Sequence, residues 1–253
     1  MKKLIWFLLF AGSMCFCGCF DTTEEITINK DGTGIYTNTT DLSDMLALLK
    51  QMGGDSAQKL TDEDTTLPLA GIADSIAGLT SRQKRIIDQG RLRLTLNTKD
   101  EKMIIGFKFP FQTIGDVAFL KQALPQVTAA SFKKIPTGGQ MPSEMNGGLG
   151  DSSELKTFDD YFDLVFSDKV LSKTLNKDRY STASDNENMK SLQQISALGS
   201  PVTVNYVFNL PGPATKAEGK SLKISGDKRK ITISVTADDF FDDPSKFEYR
   251  IEY

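Results

Sequence analysis

Ile26-Thr27-Ile28-Asn29-Lys30-Asp31-Gly32-Thr33-Gly34-Ile35-Tyr36-Thr37-Asn38-Thr39 decides how this 253-residue chain is read. Ile26 and Ile28 alternate with polar residues, Lys30-Asp31-Gly32-Thr33-Gly34 supplies a turn in which glycine takes positive φ, and residues 35–39 resume an extended run. The stretch reads as a β-hairpin. Asp41 is placed to cap a following helix whose apolar positions Leu42, Met45, Leu46 and Leu49 fall at i, i+3, i+4 and i+7, with Gly53-Gly54 as its stop.

The same order returns twice. Leu92, Leu94 and Leu96 alternate with Arg91, Arg93 and Thr95, residues 97–102 turn, and residues 103–109 come back as a second strand. Thr113 with Asp116 resembles a capping box, and Ile114, Val117, Leu120 and Leu124 line one helical face that Pro125 is expected to stop. The third unit runs through residues 161–166, a turn at Ser167-Asp168-Lys169 and residues 170–175, with a helix over 187–198 that places Met189, Leu192 and Ile195 on one side. Identity between the units is low, so the repetition is architectural.

Further extended runs occupy residues 202–210, 221–224, 231–235 and 247–253, the last presenting Phe247, Tyr249, Ile251 and Tyr253 to one side; such a C-terminus belongs inside a sheet. The expected class is α+β, with antiparallel β-hairpins alternating with amphipathic helices packed on one face of the sheet. Two segments interrupt the order. Residues 65–90 read as one or two helices, with Ile72, Ile76 and Leu79 on one face and Thr80 capping the stretch to Ile87. Residues 131–157 hold Gly138-Gly139, Pro142, Asn146-Gly147-Gly148 and Gly150 and almost no apolar side chains, which reads as a flexible loop. The organisation is then a leader over 1–18, a first hairpin-helix region over 19–130, the Gly-rich loop over 131–157 and a second region over 158–253, with one shared domain or two left open.

The leader has Lys2 and Lys3, an apolar run over 4–11 and a small-residue stretch, the three parts of an export signal. It is too short to cross a bilayer, which takes about 20 apolar residues. Cys15 follows Met14 and Cys17 follows Phe16, whereas Cys19 alone follows a small residue, Gly18. Phe16-Cys17-Gly18-Cys19 resembles the lipobox of bacterial lipoproteins, departing from it at Phe16, where Leu is usual. That resemblance implies cleavage between Gly18 and Cys19 and lipidation of Cys19 with a diacylglyceryl thioether and an N-acyl group of palmitate type. Several acyl chains hold firmly where one binds marginally. The alternative is an ordinary secretory signal cut nearby. Phe20 stands where the inner-membrane retention signal of Gram-negative sorting has Asp, which favours the cell outer membrane. Asp21, Glu24 and Glu25 form an acidic cluster of the kind some phyla read as a surface-export signal, and the membrane face stays open.

With Lys2 and Lys3 removed from the 30 basic residues, against 33 acidic ones, the mature charge is near −5. A net-acidic chain without a basic patch gains nothing from phosphate neutralisation, which argues against nucleic acid. At 25% charged and 39% hydrophobic residues the composition is that of a globular protein. A single mature cysteine leaves no internal disulfide, so stability must come from the core.

Residues 26–34 are similar to the opening hairpin of LppM-like lipoproteins, which place it just after the lipidated cysteine. Val204-Asn205-Tyr206-Val207-Phe208-Asn209-Leu210-Pro211-Gly212, followed by strand, turn and strand over 220–235, resembles the second landmark of that class. Pro213 departs from the apolar residue often found there, and the 65–90 segment and the Gly-rich loop have no clear counterpart. The resemblance implies a membrane-anchored envelope protein, with lipid or glycolipid binding proposed for some members, and it supplies no catalytic residues.

The chain has no histidine, and its mature part has no second cysteine. This removes the usual neutral-pH base, the Ser-His-Asp and Cys-His arrangements and nearly every zinc or copper site. Asp238-Asp239-Phe240-Phe241-Asp242-Asp243 holds carboxylates of the type calcium takes, but without EF-hand spacing, and Pro244 favours a solvated cap or turn. Asp185, Asn186 and Glu187 read as helix N-terminal residues. Lys30-Asp31-Gly32-Thr33-Gly34 lacks the spacing and the Lys-Ser/Thr ending of a P-loop. Phe107, Phe109, Phe111 and Phe119 either line an apolar ligand pocket or form core.

No catalytic residue, metal ligand or cofactor is therefore expected. The leading expectation is a non-enzymatic binding or structural lipoprotein of the envelope, with an unknown protein or lipid partner. The alternatives are a lipid or glycolipid carrier with an apolar pocket under the sheet, and a carboxylate enzyme such as a glycosidase with an acidic pair.

Overall fold

The computed structural model describes residues 20–51, 61–134, 156–197 and 202–253. The leader, Gly18 and Cys19, Gly53-Gly54, the glycines of residues 138–150 and Leu198 lie outside the described residues.

The opening hairpin forms as its alternation dictates. Strands β1 (Phe20–Ile28) and β2 (Gly34–Asp41) pair antiparallel from Asp21↔Asp41 to Ile28↔Gly34. The Asp31 carboxylate closes the turn by accepting from the Thr33 amide at 3.1 Å and its hydroxyl at 2.7 Å, while Gly32 takes φ 83°. Gly34 is required for space: a Cβ there would stand 2.1 Å from the Thr27 carbonyl oxygen and 2.3 Å from the Phe111 ring. Asp41 accepts from the Ser43 amide at 2.9 Å, and helix α1 (Ser43–Gln51) follows.

The second unit places β4 (Arg91–Asn97) and β5 (Lys102–Phe111) beside β2, and helix α3 (Gly115–Lys134) follows. The edge beyond β4 is closed by β3 (Glu63–Pro68). On the other side of β1 lies β8 (Val202–Asn209), paired parallel to it, then β11 (Lys230–Thr236) and the short β10 (Leu222–Ile224). The eight-stranded order is β10-β11-β8-β1-β2-β5-β4-β3. Regions before and after the Gly-rich segment thus meet inside one sheet.

Register lays Ile233, Tyr206, Glu24, Asn38, Phe107 and Leu92 in one row across this sheet, and Ile231, Phe208, Ile26, Tyr36 and Phe109 in the next. Apart from Glu24, every member of both rows is buried. Burying a large apolar side chain contributes roughly 1.5–3 kcal/mol, so these rows dominate the stability of the sheet.

A second sheet of four strands has the order β6-β7-β12-β9, formed by β6 (Phe162–Ser167), β7 (Val170–Leu175), β12 (Tyr249–Glu252) and β9 (Lys216–Glu218). It packs on the large sheet through Tyr249, whose ring centroid lies 5.1 Å from that of Phe208 and 6.3 Å from that of Tyr206. Beside it, helix α5 (Ala237–Asp242) buries Phe240 completely, against Phe158, Tyr161, Phe162 and Phe247. Helices α2 (Ser81–Asp88) and α4 (Glu187–Ala197) complete the α+β architecture. No helix among the described residues is long and apolar enough to cross a membrane.

Four expectations change. The hairpins do not share one sheet: β6 and β7 join the C-terminal strand in the smaller one, because both present apolar rows that need an opposing layer. Residues 65–90 are not all helix. Glu63, Thr65 and Leu67 turn inward at period two, giving β3, although Thr80 does cap α2 in a capping box with Gln83. Pro125 does not stop α3: Val127, Ala129, Ala130 and Ser131 beyond it are buried, and that packing outweighs the lost hydrogen bond to the Lys121 carbonyl. The expected Gly-rich loop of 131–157 therefore gives up Ser131–Lys134 to helix at one end, and at the other Thr157 opens a 3₁₀ turn, Phe158–Tyr161.

Candidate functional site

Four charged side chains converge between the two sheets. Glu24 comes from β1, Lys121 from α3, Asp159 from the 3₁₀ turn that follows the Gly-rich segment, and Lys173 from β7. The Lys121 ammonium donates to Glu24 and reaches Asp159 Oδ2 at 2.7 Å. Lys173 donates to Asp159 Oδ1 and to the Tyr206 hydroxyl, the latter at 2.8 Å. Two cations and two carboxylates form a neutral chain. The lysine side chains are 3% and 0% exposed and the carboxylates 12% and 13%, so each charge depends on its partners rather than on water.

Aromatic faces complete the enclosure. The Lys173 ammonium lies 4.5 Å from the Phe162 ring centroid, 4.6 Å from Tyr206 and 5.0 Å from Phe247, and Lys121 lies 5.1 Å from Tyr206. These are distances at which a cation is attracted to the ring face. The Tyr36 hydroxyl is buried beside Glu24 and Asn38 without a well-formed hydrogen bond among the described residues.

The environment drives the two carboxyl groups apart. Burial pushes Glu24 up and outweighs the attraction of Lys121. Burial also disfavours ionised Asp159, but Lys121 and Lys173 together reverse this and hold its carboxyl well below the usual carboxylate range. For Lys121 the burial penalty is overcome by Asp159 and Glu24, which raise it. Lys173 moves down through burial, with repulsion from Lys121 opposing the pull of Asp159. Burial and the two carboxylates keep Tyr36, Tyr206 and Tyr249 as neutral phenols.

One side of this cluster opens on a cleft of about 450 Å³. Lys121 and Asp159 reach it from the interior, Gln122 and Gln126 line it from α3, and Lys156, Asp160 and the Asp163–Arg179 ion pair complete its polar lining. The arrangement can bind and orient polar groups. Glu24 and Asp159 do not have the arrangement of a glycosidase pair, because the Lys121 ammonium stands between these two carboxylates where a glycosidic oxygen would have to sit.

The other candidates fall elsewhere. In the 238–243 cluster, Asp239 closes a capping box with Thr236 and also meets Lys246, and Asp243 pairs with Lys220 at 2.9 Å, so these carboxylates serve a helix end and its neighbours. No group of three or more His, Cys, Asp or Glu residues able to hold a metal occurs among the described residues. Asn186 accepts from the amides of Asn188 and Met189, as a helix start requires. The turn at residues 30–34 is a hairpin turn. Phe107, Phe109 and Phe111 are buried core, Phe109 being stacked between Phe107 and Tyr36 at 6.2 and 6.3 Å, and Phe119 is half-buried against the hydrophobic core. In the acidic cluster of residues 21–25, the Glu24 side chain is folded inward onto Lys121.

The ionic cluster is absent from the sequence reading, yet it left a trace there. Glu24 shares strand parity with Ile26 and Ile28, and Lys173 shares parity with Leu171, so two opposite charges stand at core positions of strands. Comparison with family models, with curated proteins and with solved structures finds no match.

Proposed function

We propose that this protein is a lipoprotein of the LppM-like class, anchored through acylated Cys19 to the outer membrane and acting as a non-enzymatic binding or structural module of the envelope. The observation that carries the reading is Gly18-Cys19 at the end of a short apolar leader, directly before the strand Phe20–Ile28. Support for a module that recognises rather than transforms comes from the absence of histidine in the chain and from a polar cleft whose buried charges already neutralise one another. The partner is an envelope protein or lipid; nucleic acid is disfavoured by the acidic balance. In the finer fold reading, the helices share with the small sheet the face of the large sheet that carries the Ile26 and Glu24 rows, α3 reaching it through Lys121 and the small sheet through Tyr249. The tight packing at Gly90, where a Cβ would meet the Phe109 ring at 2.5 Å, weighs against a lipid-carrier pocket at that point.

Intact mass spectrometry of the detergent-extracted protein, expressed with its own leader, tests the anchor. A chain beginning at Cys19 with added acyl mass, lost in Cys19→Ser, is expected. An unacylated chain cut elsewhere would overturn the reading.

A further inference from the structure

β1 is an interior strand of the large sheet and is paired from its first residue, Phe20 with Val202 of β8 and Asp21 with Asp41 of β2. One peptide bond separates Phe20 from Cys19. If the lipid sits on Cys19, no free linker lies between it and a strand held on both sides, so the sheet itself is positioned by the anchor. A flexible spacer of even ten residues would span about 16–19 Å and uncouple the two.

We infer that the end of the large sheet carrying Phe20, Asp41 and the turn at residues 98–101 is a membrane-facing surface that rests on lipid headgroups. Asp21, Asp41 and Ile104 share one level through successive pairings, and the β4–β5 turn begins at Asn97↔Lys102, two residues further toward the anchor. That turn therefore lies at the end of the sheet where β1 begins, at Phe20. The opposite end of β1, eight residues on, is about 26 Å away at the usual strand rise. The parallel pairing of β1 with β8 carries both landmark stretches to that far end. There Ile28, Asn29 and Lys30 meet Pro211 and Tyr253 around a cleft of about 350 Å³, which this orientation directs away from the bilayer.

The inference rests on lipidation of Cys19, and its test separates the two. Lys99→Cys and Lys30→Cys, both at exposed turn positions, are labelled with an environment-sensitive fluorophore in the full lipidated chain. The protein is then placed in phosphatidylcholine vesicles containing a headgroup spin-labelled lipid. Quenching several-fold stronger at residue 99 than at residue 30 is expected. Insertion of ten Gly and Ser residues between Cys19 and Phe20 should bring the two values together. Equal or reversed quenching in a chain that carries acyl mass overturns the orientation alone, whereas a chain without acyl mass overturns the anchor and the orientation together.

Discussion

Glu24 of β1 and Tyr206 of β8 are register partners on neighbouring parallel strands, and the two are joined a second time through side chains, Glu24 to Lys121 to Asp159 to Lys173 and back to the Tyr206 hydroxyl. A loop of charge thus ties the first strand of the fold to the small sheet and to α3. Pairing inside a low-dielectric interior offsets desolvation only while every member is present.

Asp159→Asn leaves two buried ammonium groups facing one carboxylate, and a destabilisation of about 3–5 kcal/mol is expected by urea denaturation. Glu24→Gln combined with Lys121→Met removes charges of both signs. It should cost clearly less than the sum of its single substitutions, a coupling that a double-mutant cycle reads directly.

Acid dependence follows from the two carboxyl groups, with opposite signs. Asp159 is depressed on folding, so its contribution is complete above the ordinary value of 3.8 and is lost as pH falls below that, through its folded pKa. Glu24 is raised on folding, so its effect is most favourable below the ordinary 4.5 and declines as pH climbs through its folded pKa. Urea midpoints from about pH 2 to pH 7 should show Asp159→Asn flattening the acid limb and Glu24→Gln flattening the limb above it.

Gly34→Ala is expected to destabilise by roughly 3 kcal/mol, because its methyl group meets the Thr27 carbonyl oxygen, a backbone atom that cannot turn aside. Gly226→Ala, with nothing within 4 Å of the added carbon, should stay within about 0.5 kcal/mol of the parent. Thermal melts of both variants suffice, and equal shifts would show that the hairpin end is less tightly closed than the contact implies.

Thr236→Ala removes the acceptor for the Asp239 amide and half of the capping box that starts α5. About 1 kcal/mol of stability should be lost. The same substitution at Thr80, which caps α2 in the same way, gives an independent measure of a cap on a more exposed helix.

The Thr80 cap was legible before any coordinates, as were the three hairpins and the turn chemistry at Asp31 and Gly32, because each is decided by a handful of adjacent residues; the Thr236 cap was not, since the Asp-rich run after it reads as a solvated turn. The ionic cluster was not. Glu24 and Lys121 are 97 residues apart, and a charge at a core parity in one strand carries no mark of where its partner lies. Residues 65–68 were misread for a related reason: Thr65 and Leu67 take their inward direction from pairing with β4, a contact that local propensity does not encode.

By itself, then, the chain determined what short-range physics controls. Period-two alternation made the strands, Asp and Thr caps started the helices, and a histidine-free composition removed imidazole as a base or a metal ligand. Only the tertiary structure decided that β1 and β8 run parallel, that the third hairpin enters a separate sheet, that α3 continues through Pro125, and that four charges meet between the layers. Those outcomes depend on which apolar surfaces cover one another across long stretches of chain, a free energy summed over the whole core rather than over neighbouring residues.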